Sequence, residues 1–572
     1  MRKIYCFTLL LLFQPCLSFA QSSFTWIGGA SGDYQLAGNW TPARNIFSAT
    51  DVLQFNANST IDILNVPNQT IGAIGILSGT SVVSFASNAT GNVLSLSAIT
   101  PLLYATAGTI YVADALTISL INTGSFTLTS GIFGIQAGTG GKIIINSILN
   151  LNGAKLDFDV AGTSGTTITG SIIYTSGIFN CANASAITWT NNANYFHAAN
   201  GTVASSIPIS NWQTGATCTV NGFNAGLASL GGLTTNNFSN LTWNCPAQIN
   251  DIDLNCTKVF INGTFSVIST NNKYIRMAIN GSAYLGLQGA VTKTGTWQVS
   301  GSNPTAQMTI DFSGLTAQLV NLSGTWSAPV AGRCNVTISN TNLISGVTLT
   351  TGTKLKIFSN ATSSATCLIA GLLSVIDASA SVIYNNNCTL QYAGTTLQNV
   401  SNIEFPLSNG PANLAVNNSL GINFPAAITS RTISGILYLM NGNIALGSDT
   451  LFLTNPNLGS QINYTNGYIS TGVLGKYFAT TGLPTTATNQ GRFPFGSGAN
   501  DRSLNIYFSS ANLSAGTAGM IYVSHTPVGG VTSINPAFTD NGVLLDKKAN
   551  TNWYVGTGSF TIGAGAETIN IT

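Results

Sequence analysis

The chain has 572 residues, of which 44% are hydrophobic and only 6% charged, with 18 Lys+Arg against 16 Asp+Glu and 61 Gly; an ordinary soluble domain carries about 25% charged residues. So few scattered cations exclude a nucleic-acid binder, which needs Lys and Arg on phosphates. The apolar content excludes a disordered linker, and the lack of Glu, Lys and Arg excludes long solvated helices. Two tracts, residues 63–113 and 160–250, hold no Asp, Glu, Lys or Arg for 51 and 91 residues, leaving no charged acid or base within either for polar chemistry.

In chain order, Arg2 and Lys3 precede the apolar stretch LLLLFQPCLSF and the small residue Ala20. This pattern predicts a secretory signal peptide over 1–20. Its removal takes two cations, giving 16 basic against 16 acidic residues, and leaves seven of nine cysteines. Seven is odd, so at least one thiol stays unpaired within a monomer, and burial as small hydrophobes or local pairing is expected. No second run is long enough to span a bilayer, so the mature chain is expected to lack a transmembrane segment.

Residues 21–60 hold Trp26, Trp40 and a short alternating strand, Asp51-Val-Leu-Gln-Phe55, and are read as a capping segment that covers an open β edge. From 61 to 479 the chain repeats one texture: four to six residues rich in Ile, Val, Leu, Phe and Thr, closed by Gly, Asn or Ser. Period-two alternation predicts strands and the closing residues predict turns. TSGIF occurs at 129–133 and again at 175–179, an offset of 46, or two steps of 23; TGTW at 294–297 and SGTW at 323–326 lie 29 apart. Coils of roughly 20–30 residues fit these echoes. The reading is all-β: an irregular right-handed parallel β-helix or solenoid, then a β-sandwich-like domain over 480–572. Stacking also accounts for the missing charge, since a charge repeated at one position faces its own sign on the next coil about 4.8 Å away.

Four local patterns carry a family resemblance. TWIGGASGDYQLAGNWTP, with Trp26, Trp40 and Pro42, is one; IPISNWQTGATCTVNGF followed by NFSNLTWNCPAQI, with Trp212, Cys218, Trp243 and Cys245, is another. NGYISTGVLGKYF leading to GRFPFGSGANDR, and NTNWYVGTG, complete them. Together they resemble the large secreted adhesin-like surface proteins of Bacteroidetes associated with type IX secretion. The resemblance implies export to the cell surface or outer membrane and an adhesive or structural role. Residues 480–572 do not resemble the C-terminal sorting domain of that route, which implies a shortened frame.

Enzyme is the rival expectation, because β-helices also host polysaccharide lyases and hydrolases. Its candidates are Asp157 and Asp159 in KLDFDV, with Lys155 beside them, and Asp251 and Asp253 in NDIDLN. Alternation puts each pair on one outer face, with Leu156, Phe158, Val160, Ile252 and Leu254 inward. Such pairs suit glycosidic acid–base work, Ca²⁺ ligation or plain solvation. His197 and His525 have no acidic neighbour in sequence and are expected to be structural. Arg492 and Asp501 are expected to form a local ion pair, and Tyr464, Tyr468 and Tyr477 are candidate sugar platforms. The expected function is a non-enzymatic extracellular surface protein acting through an elongated neutral polar β surface, without catalytic or metal site or cofactor. Its expected partners are surface glycans or cell-envelope proteins; the remaining alternative is a passive stalk fragment of a larger adhesin.

Overall fold

The structure, a computed structural model, describes residues 22–572 apart from 78, 98–102, 106, 122, 159–164, 182, 202–204, 225–229, 255, 279, 299–302, 324–325, 327–331, 343, 360–362, 386, 426–429, 498–499, 541–542 and 564–566. The signal-peptide stretch, Asp159 and Val160 therefore lie outside the described residues. The chain divides into two compact units, Met1–Phe196 with Pro208–Asn211, and His197–Ile207 with Trp212–Thr572.

In the first unit three parallel ladders alternate along the chain. Ala73–Ile76, Val82–Phe85 and Val93–Leu96 are followed by Leu103–Ala105, Thr109–Val112 and Thr117–Leu120, each pairing with its counterpart one coil earlier. Val82, Thr109, Ile132, Lys155 and Ile178 follow one another in register, in steps of 27, 23, 23 and 23 residues. The two TSGIF copies thus lie two coils apart, Ile132 and Ile178 each facing Lys155. Alternation fills the interior with columns of like residues: Val83, Ile110, Phe133 and Leu156 are in register and fully buried. Each such side chain contributes about 1.5–3 kcal/mol by leaving water.

At the chain's start, Ser23–Trp26 pairs in parallel with Val52–Phe55 and, on its other edge, antiparallel with Trp40–Thr41. The buried Arg44 guanidinium is held by Asp51 at 2.7 Å and lies over the rings of Phe47 (4.4 Å) and Tyr34 (4.9 Å). A desolvated cation is tolerated there because it is paired and faces π clouds.

The second unit stacks the same way. A ten-stranded parallel ladder runs from Asn237–Phe238 through Lys258–Ile261, Gln307–Phe312 and Thr389–Tyr392 to Ile462–Tyr464. Trp297 and Trp326, the two echo tryptophans, pack edge to face at 5.6 Å. Asparagines knit coils together at strand starts. The side chains of Asn240, Asn335 and Asn413 each accept from a backbone N–H one coil ahead (Thr264, Thr366, Ile436) and donate to a threonine hydroxyl one coil behind (Thr217, Thr309, Thr389).

One corner is built for close approach. Ile261, Leu287, Phe312, Ile338, Ile369, Tyr392 and Val416 are in register. Two residues beyond each stand Gly263, Gly289, Gly314, Asn340, Gly371, Gly394 and Asn418. A Cβ at Gly289 would lie 2.3 Å from the Gly263 carbonyl, and one at Gly371 would lie 2.2 Å from that of Asn340. At the two asparagine positions the side chain turns aside and hydrogen-bonds Gln318 and Gln398.

Parallel stacking continues to Ile469–Phe478, which pairs in parallel with Ile444–Leu453 and antiparallel with Gly519–Asp540. The pairings beyond it are antiparallel: Gly519–Asp540 with Val543–Thr557, and Leu504–Phe508 with both Arg492–Phe493 and Ile569–Ile571. A parallel β-solenoid followed by sandwich-like sheets is the fold. Among the described residues no helix is long and apolar enough to cross a membrane.

Candidate functional site

The first candidate, Asp157, points outward from Ile148–Asp157 while Leu156 and Phe158 are buried. Lys155 Nζ sits 2.6 Å from its carboxylate, and Asn180, its register partner on the next coil, donates at 2.7 Å. Asp251 and Asp253 are brought together by Arg276, which the sequence reading did not single out. Its Nε lies 2.5 Å from Asp253 and its Nη2 3.4 Å from Asp251, which also accepts from the Tyr274 backbone N–H. Asp253 and Arg276 are register partners 23 residues apart. That interval is a coil length, the one sequence signal that leads to Arg276. Leu254 is half-buried rather than inward, because the strand is only Ile252–Asp253 and alternation ends with it.

His197 is fully buried, bonded through Nε2 to the Ser205 hydroxyl at 2.9 Å and stacked on Phe223. Burial lowers its pKa to about 4, which keeps the ring neutral near pH 7. His525 is buried against Trp553, ring centres 4.4 Å apart, and burial likewise lowers its pKa. The Arg492–Asp501 ion pair forms at 2.6 Å, and the same guanidinium covers the Tyr464 ring at 3.9 Å. Tyr464 is therefore not an open platform, and Tyr468 is packed against Gly496. All seven described cysteines are buried and form no disulfide among the described residues, in line with burial as small hydrophobes.

A further concave site involves none of these. A cavity of about 560 Å³ in the second unit is walled by Leu372, Leu373 and Leu397 and floored by Tyr392, Gln398 and Glu404. Glu404 is buried and accepts from the Ser401 backbone N–H, the Ser401 hydroxyl and the Tyr392 hydroxyl. Ser401 and Glu404 have capping-box spacing, used here to close a turn instead of a helix. Burial raises the Glu404 pKa above the ordinary glutamate value, opposed by those hydrogen bonds, and pushes that of Tyr392 well up. Arg431, also buried, lies over Phe405 at 4.8 Å and donates to Asn402. Its Nε and Nη1, and Oδ2 of buried Asp449, have no hydrogen-bond partner among the described residues. Sequence reading missed this group because Tyr392, Glu404 and Arg431 meet only through coils of differing length.

Chemically, Glu404 is a carboxyl held toward its protonated form beside a phenol, and Gln398 is spent on the Ile369 carbonyl and the Gly394 N–H. Among the described residues no three His, Cys, Asp or Glu side chains converge as metal ligands. Comparison of the chain with protein-family models, curated proteins and solved structures finds no match.

Proposed function

We propose that the chain is a non-enzymatic extracellular surface protein of the adhesin-like kind, exported by its amino-terminal signal, whose coil stack serves adhesion or envelope structure. The supporting observation is how the stack uses its acids. Asp62, Asp157, Asp253, Asp311 and Asp377 each engage a side chain on an adjacent coil: Ser84, Asn180, Arg276, Tyr284 with Ser339, and Thr351. Carboxylates used this way hold coils together and leave a neutral face of Asn, Ser and Thr. Such a face binds by many weak polar contacts, for which surface glycans and other envelope proteins are suitable partners. A glycan array probed with the full chain tests this: retention on hydroxyl-rich glycans is expected, and silence across the array removes the adhesive half of the reading. Protease shaving of intact cells tests location, since loss of the chain is expected only for a surface protein.

A second reading, a polysaccharide lyase or hydrolase, draws on the cavity over Glu404. It predicts release of reducing ends from a polysaccharide panel, abolished in Glu404→Gln. Release unaffected by that change would assign the activity elsewhere.

A further inference from the structure

In the second unit, the turn following each of five consecutive strands of the ten-stranded ladder carries one aliphatic side chain in solvent. After Phe312 it is Leu315, after Ile338 it is Ile344, and after Ile369 it is Leu372; Leu397 follows Tyr392 and Leu420 follows Val416. Their exposures are 75, 91, 39, 56 and 61%. The strands these turns lead into are also stacked, Gln318 on Val347 on Leu373, and Gln398 on Ile422. Leu372 and Leu397 both line the cavity over Glu404, and their strands Thr366–Ile369 and Thr389–Tyr392 are register neighbours. At about 4.8 Å per coil, four steps make a ridge about 19 Å long. Turn tips are ordinarily polar, and a continuous exposed apolar strip marks an interaction surface.

We propose that this ridge is a self-association surface that packs against the same ridge of a second copy of the chain. Spacing and charge select that occupant. The rungs repeat at the coil interval, so another coil stack matches them rung for rung. The segments 313–319, 341–348, 370–376, 394–400 and 417–423 contain no Asp, Glu, Lys or Arg. Two such strips meet without like-charge repulsion, whereas a charged partner would lose solvation and gain no counter-ion. The ridge supplies the apolar centre of an interface of roughly 800 Å² per partner, and the Ser, Thr and Asn flanks supply its polar rim. A closed two-fold pairing with its axis perpendicular to the ridge overlaps all five rungs only when Leu372 meets its own copy. Ile344 then meets Leu397, and Leu315 meets Leu420. This proposal is independent of what the coil surface binds.

Sedimentation equilibrium of the full chain over about 1–100 μM is expected to show a monomer–dimer equilibrium. Raising NaCl from about 0.15 to 1 M should leave it intact or tighten it, because no ion pair holds it. The triple variant Ile344→Ser, Leu397→Ser, Leu420→Ser alters only exposed side chains. It should keep the circular dichroism spectrum and Tm while Kd rises roughly tenfold or more. Leu372→Cys should form a disulfide-linked dimer on mild oxidation, the native cysteines being buried; Leu64→Cys, an exposed position in the first unit, should not. A monomer throughout, an unchanged Kd in the triple variant, or equal cross-linking of the two cysteine variants would overturn the proposal.

Discussion

Asp311 and Lys476 are both withdrawn from water, yet the parallel coils and the start of antiparallel pairing handle them differently. Asp311 stands in a ladder between Gly286 and Thr337 and accepts from Tyr284 and Ser339, hydroxyls on the coils behind and ahead. Asp62, facing Ser84, follows the same pattern. A stack admits a charge where the adjacent coils supply hydroxyl donors and no like charge stands in register with it. Lys476 lies in Ile469–Phe478, paired in parallel on one side and antiparallel on the other. It is fully buried, and its ammonium donates to the carbonyls of Gln490 and Arg492 beneath the Phe493 ring. Here the charge is enclosed instead of flanked. Repetition, more than burial, is what keeps charge out of the coils.

The largest expected effect breaks the comparison at Lys476. Burial lowers its pKa from 10.5 to about 7, so between these values the unfolded chain binds the proton and the folded chain does not. The stability this contributes is present above pH 10.5 and is lost as pH falls through 7, a change of up to roughly 5 kcal/mol. Urea midpoints of the wild type should therefore rise from pH 7 toward pH 10, and Lys476→Met should flatten that rise. A smaller loss, about 2–3 kcal/mol, is expected for Gly371→Val, whose Cβ meets the rigid Asn340 backbone; thermal unfolding reads it. Ser84→Asp sets a carboxylate against Asp62 and should cost about 1 kcal/mol, while Ser84→Asn should cost less. A urea-midpoint difference between the two at pH 7 that disappears at pH 3 would isolate the charge. The smallest change concerns the thiols: a thiol reagent should label none of the seven described cysteines in the native chain and all seven in guanidinium, since burial pushes Cys245, Cys256 and Cys367 up to about 12.

The coil repeat was readable in the sequence because the TSGIF copies fall in one register column and the Gly-Thr-Trp pair brings Trp297 and Trp326 into ring contact. Outward placement of Asp157 and Asp253 followed from alternation, a local property. Their partners Asn180 and Arg276 did not, because each lies one coil away and coil length varies. Glu404 was hidden differently: Ser401 is only three residues before it and Tyr392 12, and only Arg431, from the next coil, makes that local turn into a buried polar group. The aliphatic ridge escaped as well: alternation distinguishes the two faces of a strand and is silent about a turn, where Ile344 and Leu420 stand.

The Gly/Asn column from Gly263 to Asn418 has a consequence for how such a chain changes over time. Its members are 26, 25, 26, 31, 23 and 24 residues apart. The corner keeps its position while the rest of each coil grows or shrinks by up to eight residues. Insertions are thus absorbed locally, without shifting the register of the coils above. A duplicated coil inherits a ready-made corner, so length is the property this architecture can vary most freely.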